Sequence, residues 1–170
     1  MINPVLNAWN GGDESSATDA MLACCGAQRW AAQMVALRPI ANIAALSEAA
    51  DSVWATMGER DLLEAFACHP RIGERTASAA PEKSNAWSIQ EQAGTSSAAN
   101  NVMRELAEGN TQYEQRFGFT YIVCATGKTA DEMLAILRRR LANDRVAELK
   151  EAAEQQRQIT QIRLGKWLVS

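Results

Sequence analysis

Apolar residues recur at three- and four-residue spacing over most of this chain, which predicts helices rather than strands. Over 42–57, Ile43, Leu46, Ala50, Val53, Trp54 and Met57 share one helical face, and Gly58 punctuates the run. Upstream, 19–37 is rich in Ala, Leu, Met and Trp, with a break expected at Gly26. Arg38-Pro39 ends that stretch, because the residue before a proline is pushed out of the helical region. Trp30, Met34 and Leu37 form a stripe that reads as core. A shorter helix is expected over 61–68, carrying Leu62, Leu63 and Phe66 and stopped by Pro70.

Further on, 73–85 mixes Gly, Pro, Ser, Thr and Ala without useful periodicity and reads as a loop, a candidate lid. A helix is expected over 88–108, weakened by Gly94, and a short one over 110–117. The segment 119–125 is the one run with strand-like content. A single short strand has nothing to pair with, so a buried extended connector is expected there. Thr129-Ala130-Asp131-Glu132 has the capping-box pattern and opens a helix through about 142. Asp144 then caps the last helix, which reaches Trp167. The pattern predicts an all-α, single-domain bundle of about eight helices over 1–170.

Composition narrows the function classes. The net charge of −3 gives no basic footprint for nucleic acid. No apolar run reaches the roughly 18 residues of a membrane span. Met1-Ile2-Asn3-Pro4 lacks a signal-peptide pattern, and Trp167-Leu168-Val169-Ser170 is no peroxisomal address, so a cytoplasmic protein is expected. Cys24, Cys25, Cys68 and Cys124 contain no Cys-x-x-Cys pair and read as reduced, small apolar residues. Cys68 adjoins His69, but sequence neighbours on a helix face different directions, which argues against a dyad.

Three polar placements stand against the pattern. The single histidine, His69, falls where a helix gives way to irregular chain, between Cys68 and Pro70-Arg71. Imidazole changes charge near neutral pH, so His69 is either a general acid/base or a satisfied structural histidine. One histidine also leaves no multi-histidine metal site. Ser88-Ile89-Gln90-Glu91-Gln92 is the second placement. Ser-x-x-Glu fits a capping box, while a glutamate in a first helical turn stays ionised and suits orienting an imidazole or holding a polar substrate. The third is Arg163. On a wheel of about 100° per residue, Val146, Leu149, Ala153, Ile159 and Trp167 gather on one face, and Arg163 lies within that arc. It is placed either for a core-edge salt bridge or for binding an anion with its fork of donors. Arg138-Arg139-Arg140 reads instead as an exposed charge run.

In order along the chain, several motifs together resemble the 2-oxo-4-hydroxy-4-carboxy-5-ureidoimidazoline (OHCU) decarboxylase family of urate breakdown. They are Cys24-Cys25-Gly26, Arg29-Trp30-Ala31, Arg38-Pro39, His69-Pro70-Arg71-Ile72-Gly73 and Ser88-x-x-Glu91-Gln92. Arg116-Phe117-Gly118-Phe119 running into Tyr121-Ile122-Val123 follows, then Gly127-Lys128, Arg139-x-Leu141-x-Asn143 and Ile162-Arg163-Leu164.

The resemblance implies an all-helical carboxy-lyase without a cofactor, usually a homodimer, that converts OHCU to (S)-allantoin and carbon dioxide. It carries catalytic roles onto His69, Glu91 and Arg163. It carries substrate contacts onto Pro70, Ser88 and Gln92 and onto the backbone of Tyr121, Ile122 and Val123. The implied partner is the small-molecule substrate, with no nucleic acid and no membrane. Read without the resemblance, the same residues also fit a non-catalytic helical interaction module, or a lyase or hydrolase of a related ureido or imidazoline compound.

Overall fold

The computed structural model describes residues 3–74, 80–95 and 98–170, and every regular element among them is helical. In order these are α1 (Pro4–Gly11), α2 (Glu14–Cys24), α3 (Gln28–Ala36), α4 (Ile43–Trp54), α5 (Glu59–Ala67), α6 (Glu82–Glu91), α7 (Asn100–Phe117), α8 (Ala130–Arg140) and α9 (Arg145–Trp167). A single 3₁₀ turn, Ala93–Thr95, lies between α6 and α7. No described helix is long and apolar enough to cross a membrane. The chain forms two compact units, Met1–Ala65 with Arg157–Ser170, and Phe66–Gln156.

In the first unit, α1 was not anticipated from apolar spacing, yet its start is written in Asn3-Pro4. Asn3 accepts from the Val5 and Leu6 N–H groups, and Pro4 sits at the first helical position, where its missing N–H costs nothing. Asn3 Nδ2 also donates to the Leu168 carbonyl (3.1 Å), and Trp9 meets Trp167 edge-on at 5.9 Å, so both ends of the chain close this unit. Leu6, Met21, Cys24, Trp30, Ala31, Met34 and Leu46 fill its core. Trp30 lands in the core as its stripe suggested, with its indole N–H donated to the Ala50 carbonyl (3.1 Å). Leu37, at the end of that stripe, is half exposed.

The second unit departs further from the sequence expectations. Of the loop expected over 73–85, residues 75–79 lie outside those described, and 82–85 are already the first turn of α6. The helix expected over 88–108 is two helices with the 3₁₀ turn after the first, and the short helix over 110–117 is the end of α7. Proline at position 81 opens α6 earlier than Ser88 does, with Glu82 in the first turn. The Thr129 capping box is present, with Thr129 Oγ1 accepting from the Glu132 N–H (3.1 Å) and Glu132 Oε2 from the Thr129 N–H (2.8 Å). Asp144 accepts from the Ala147 N–H (2.8 Å) at the start of α9. Helices α7 and α8 approach closely at Gly109, where a β-carbon would sit 2.5 Å from Leu137 Cδ2.

The main surprise is Arg140. Met133, Leu137 and Arg140 follow one another at helical spacing on α8, and all three are fully buried. Arg140 is therefore a core residue rather than part of an exposed run; Arg138 and Arg139 do stay on the surface, paired with Glu105 and Glu151. The Arg140 guanidinium donates through Nε to Glu148 Oε1 (2.7 Å) and through Nη1 to the Ile122 carbonyl (2.5 Å). Tyr113 donates its hydroxyl to the same Glu148 oxygen. Burial opposes the charge on Arg140, but the Glu148 bond and the facing Tyr113 outweigh it and raise its pKa. Burial first, and the Glu148 bond second, push the Tyr113 hydroxyl well above its ordinary value and keep it a donor. Arg140 also lies over the Tyr121 ring, 4.9 Å from its centroid.

Removing one partner of a buried ion pair leaves the other charge stranded. Arg140→Ala should therefore cost about 3–5 kcal/mol in urea unfolding, whereas Arg138→Ala, on an exposed pair, should cost less than about 1 kcal/mol. Equal losses would show that the buried network is not what holds the second unit. The half-exposed Glu151 offers a pH test. Its carboxyl is held below the ordinary glutamate range first by the Arg139 hydrogen bond, against a smaller effect of burial. A depressed folded pKa stabilises above the ordinary value and loses that contribution as pH falls through the folded one. The thermal midpoint of Glu151→Gln should thus lie below wild type at neutral pH and converge with it in acid; a constant offset would contradict this.

Candidate active site

His69 lies two residues beyond α5, and its N–H bonds back to the Phe66 carbonyl (3.1 Å). Pro70 follows it and is buried, so the chain leaves the helix end in a fixed direction. The imidazole is partly buried, with Nε2 at 2.6 Å from Gln156 Oε1 on α9. Arg71, read from sequence as a cation beside the histidine, is committed elsewhere. Its Nε donates to Glu114 Oε1 (2.8 Å) and its Nη2 pairs with the other carboxylate oxygen, which raises its pKa.

Ser88 and Glu91 do not form a cap. Ser88 is mid-helix and buried, its Oγ donating to the Ser84 carbonyl one turn back (3.0 Å). Glu91 is the last residue of α6, not one of its first turn. The helix dipole that would favour a carboxylate at the N-terminus offers no such help at this end. Both residues are nevertheless buried. Ser84, Ser88 and Glu91 share the inward face of α6 with Trp87, a polar face where the hydrophobic pattern would place apolar side chains.

Gln92 follows directly and is buried too, its Oε1 accepting from the Gly73 N–H (2.8 Å). This bond ties the end of the His69-Pro70-Arg71-Ile72-Gly73 motif to the end of the Ser88-to-Gln92 motif. Gly73, Glu74, Ile89, Gln92, Thr95 and Met103 line a cavity of about 320 Å³ beside it. At Gly73 the backbone has φ +96°, a region that favours glycine.

The connector over 119–125 lies outside every described helix and is buried except at Thr120, and side chains meet several of its backbone groups. Arg140 takes the Ile122 carbonyl, Gln155 Oε1 accepts from the Cys124 N–H (2.8 Å), and Lys128 Nζ donates to the Cys124 carbonyl (2.7 Å). Tyr121 donates its hydroxyl to the Met133 carbonyl (2.9 Å), which gives that side chain a structural partner. Val123 is buried between these anchors. Gly94 also packs on this region; a β-carbon there would lie 2.2 Å from the Lys128 carbonyl oxygen.

Arg163 belongs to the first unit and is 2 % exposed on α9. The inward expectation holds, but the face around it is not the one the wheel predicted. Val146 is exposed, and the buried positions are Glu148, Ala152, Gln156, Ile159, Thr160, Arg163, Leu164 and Trp167. Sequence reasoning put Arg140 on the surface and passed over Gln155 and Gln156. Helical spacing from Met133 and Leu137 carries the signal for Arg140. The two glutamines became visible only through their burial or bonding. Among the described residues, no group of three or more His, Cys, Asp or Glu is placed to hold a metal ion.

Comparison with known proteins places this geometry. Residues 10–165 match the family model described as OHCU decarboxylase. The uric acid degradation bifunctional protein TTL of Arabidopsis thaliana is 36% identical over 151 residues, covering 87% of this chain and 46% of that protein. This chain thus spans about half the length of that relative. The 2-oxo-4-hydroxy-4-carboxy-5-ureidoimidazoline decarboxylase of Amia calva is 30% identical over 131 residues, 75% of this chain and 73% of that one. A crystal structure of OHCU decarboxylase in the presence of (S)-allantoin aligns with a TM-score of 0.77 and 33% identity, over 89% of this chain and 99% of that one. With residues 10–165 of its 170 matched by the family model and its fold shared with a solved member, this chain belongs to the OHCU decarboxylase family of carboxy-lyases.

Proposed function

We propose that this chain decarboxylates OHCU to (S)-allantoin in urate degradation, with His69, Glu91 and Arg163 as its catalytic residues. The observation that carries the reading is the lone imidazole at the end of α5, followed by buried Pro70 and anchored through Nε2. OHCU carries a hydroxyl and a carboxylate on one ring carbon, beside a ring carbon doubly bonded to nitrogen. When the bond to the carboxylate breaks, carbon dioxide leaves and the electron pair enters the adjacent carbon–carbon bond. The C=N pair then moves onto nitrogen, which takes up a proton. The hydroxyl next gives up its proton to become a carbonyl, and the neighbouring carbon accepts one on a single face. The C=N group of the substrate is the electron sink, so the chain's task is positioning and directed proton transfer without a cofactor.

In this scheme His69 engages the hydroxyl and handles its proton. Glu91 orients the histidine or holds the N–H donors of the ring and ureido group. Arg163 grips an anionic oxygen by charge-assisted hydrogen bonds. Pro70, Ser88, Gln92 and the backbone of Tyr121, Ile122 and Val123 shape the substrate's seat. The same reading makes the protein a homodimer, as the resemblance implies, and a cytoplasmic one, as the sequence leads one to expect.

The test generates OHCU in situ from urate with its oxidase and the following hydrolase, and follows the circular dichroism of the allantoin formed. Acceleration with a single-enantiomer signal is expected; spontaneous, racemic decay at an unchanged rate would sink the reading. His69→Ala and His69→Asn should lower kcat by about 10²- to 10⁴-fold with the fold intact. Near-normal turnover in either variant would remove His69 from the mechanism. Arg163→Lys should cost on the order of ten- to a hundredfold in turnover, since a point charge cannot reproduce the fork. If stability falls more than turnover, Arg163 is structural.

A further inference from the structure

The ring of His69 has a partner that neither the family motifs nor the sequence pattern point to. Gln156 lies on α9, fully buried, with Oε1 at 2.6 Å from His69 Nε2. A carboxamide oxygen only accepts hydrogen bonds, so this contact requires the proton to be on Nε2. A neutral imidazole carries one N–H, and the bond made by one nitrogen decides which nitrogen keeps the lone pair. The surroundings leave this arrangement little freedom. The next residue back, Gln155, is engaged through Oε1 with the Cys124 N–H (2.8 Å), which fixes α9 against the connector at this level. On the other side, the His69 backbone is held by its bond to Phe66 and by buried Pro70. The nearest cation in sequence, Arg71, is spent on Glu114.

We propose that Gln156 is a positioning residue for His69. Its buried amide oxygen holds the ring proton on Nε2 and fixes the orientation of the ring. The neutral amide suits this role chemically: a carboxylate in its place would orient the ring but also favour the imidazolium, leaving no lone pair to accept a proton. The assignment rests on His69 being the acid/base of the proposed reaction, while the tautomer itself does not.

The single histidine makes the test direct, because a long-range ¹H–¹⁵N correlation spectrum of the labelled full-length protein contains one imidazole. Above the ring's titration, the wild type should show a protonated Nε2 and a lone-pair Nδ1. A proton on Nδ1, or an even mixture, overturns the proposal whatever the variants do. Gln156→Leu removes the acceptor at similar volume and should move the tautomer toward Nδ1–H, lowering kcat about ten- to a hundredfold with KM little changed. Gln156→Glu keeps an acceptor oxygen and should keep a proton on Nε2, but its charge favours the imidazolium, so the midpoint of the kcat–pH profile should move to higher pH than in wild type; an unmoved midpoint would count against the role. An unchanged tautomer and kcat in Gln156→Leu would overturn the role. Should the leucine variant fail to fold, the wild-type spectrum and the glutamate variant still decide it. A protonated Nε2 in a wild type with no OHCU turnover would overturn the decarboxylase reading and leave the Gln156 contact standing.

Discussion

A guanidinium cannot be buried alone, and the second unit of this protein is organised around that constraint. Arg140 has no exposed surface, so its donors must all find acceptors inside the protein. It finds them on three elements: Glu148 at the start of α9, the Tyr113 hydroxyl on α7 and the Ile122 carbonyl of the connector. Each partner is then constrained in turn. Tyr113 must donate to Glu148, and Glu148 must face inward from a helix whose next turns are thereby set. Asn143 completes the corner by donating to both Glu148 (3.0 Å) and Glu151 (3.1 Å). A hydrophobic replacement of equal volume would cost no desolvation, but it would offer the connector no donor.

That donor matters because the connector is a buried segment outside every described helix. Its backbone groups would be stranded in the core if the helices did not supply partners. Arg140, Gln155 and Lys128 meet them one by one, and the ring cluster of Tyr113, Phe117, Phe119 and Tyr121 packs around the chain. The result is irregular backbone whose buried polar groups are held by side chains from α8, α9 and the turn before α8.

Much of this was legible in the sequence where local physics decides. The Thr129 capping box, the Asp144 cap and the stop at Pro70 all depend on near neighbours and were read correctly. Ser88 and Thr129 show the limit. Both carry a hydroxyl three residues before a glutamate, yet only Thr129 starts a helix. The difference lies upstream, where Gly127 turns the chain just before Thr129, whereas Pro81 and Glu82 have already begun α6 by the time Ser88 is reached. The apolar wheel failed on α9 for a related reason. It ranks faces by hydrophobicity, and the buried face of α9 carries Glu148, Gln156, Thr160 and Arg163.

Those inward polar positions follow one another along a single helix, and their chemistry separates them. Glu148 is consumed by Arg140, Tyr113 and Asn143, three donors on one carboxylate, which is the arrangement of a structural charge. Gln156 meets an imidazole with a neutral oxygen, which orients a ring without adding charge to it. The carboxylate ties three donors from three elements together, while the amide fixes the direction of a single ring. Two turns of α9 thus carry a group that gathers a buried network and a group that aims a ring. Burial of polar residues on a helix face marks the positions where this fold gives up hydrophobic packing. Whether such a position serves stability or chemistry is decided by how many of its partner's hydrogen-bonding groups it ties down.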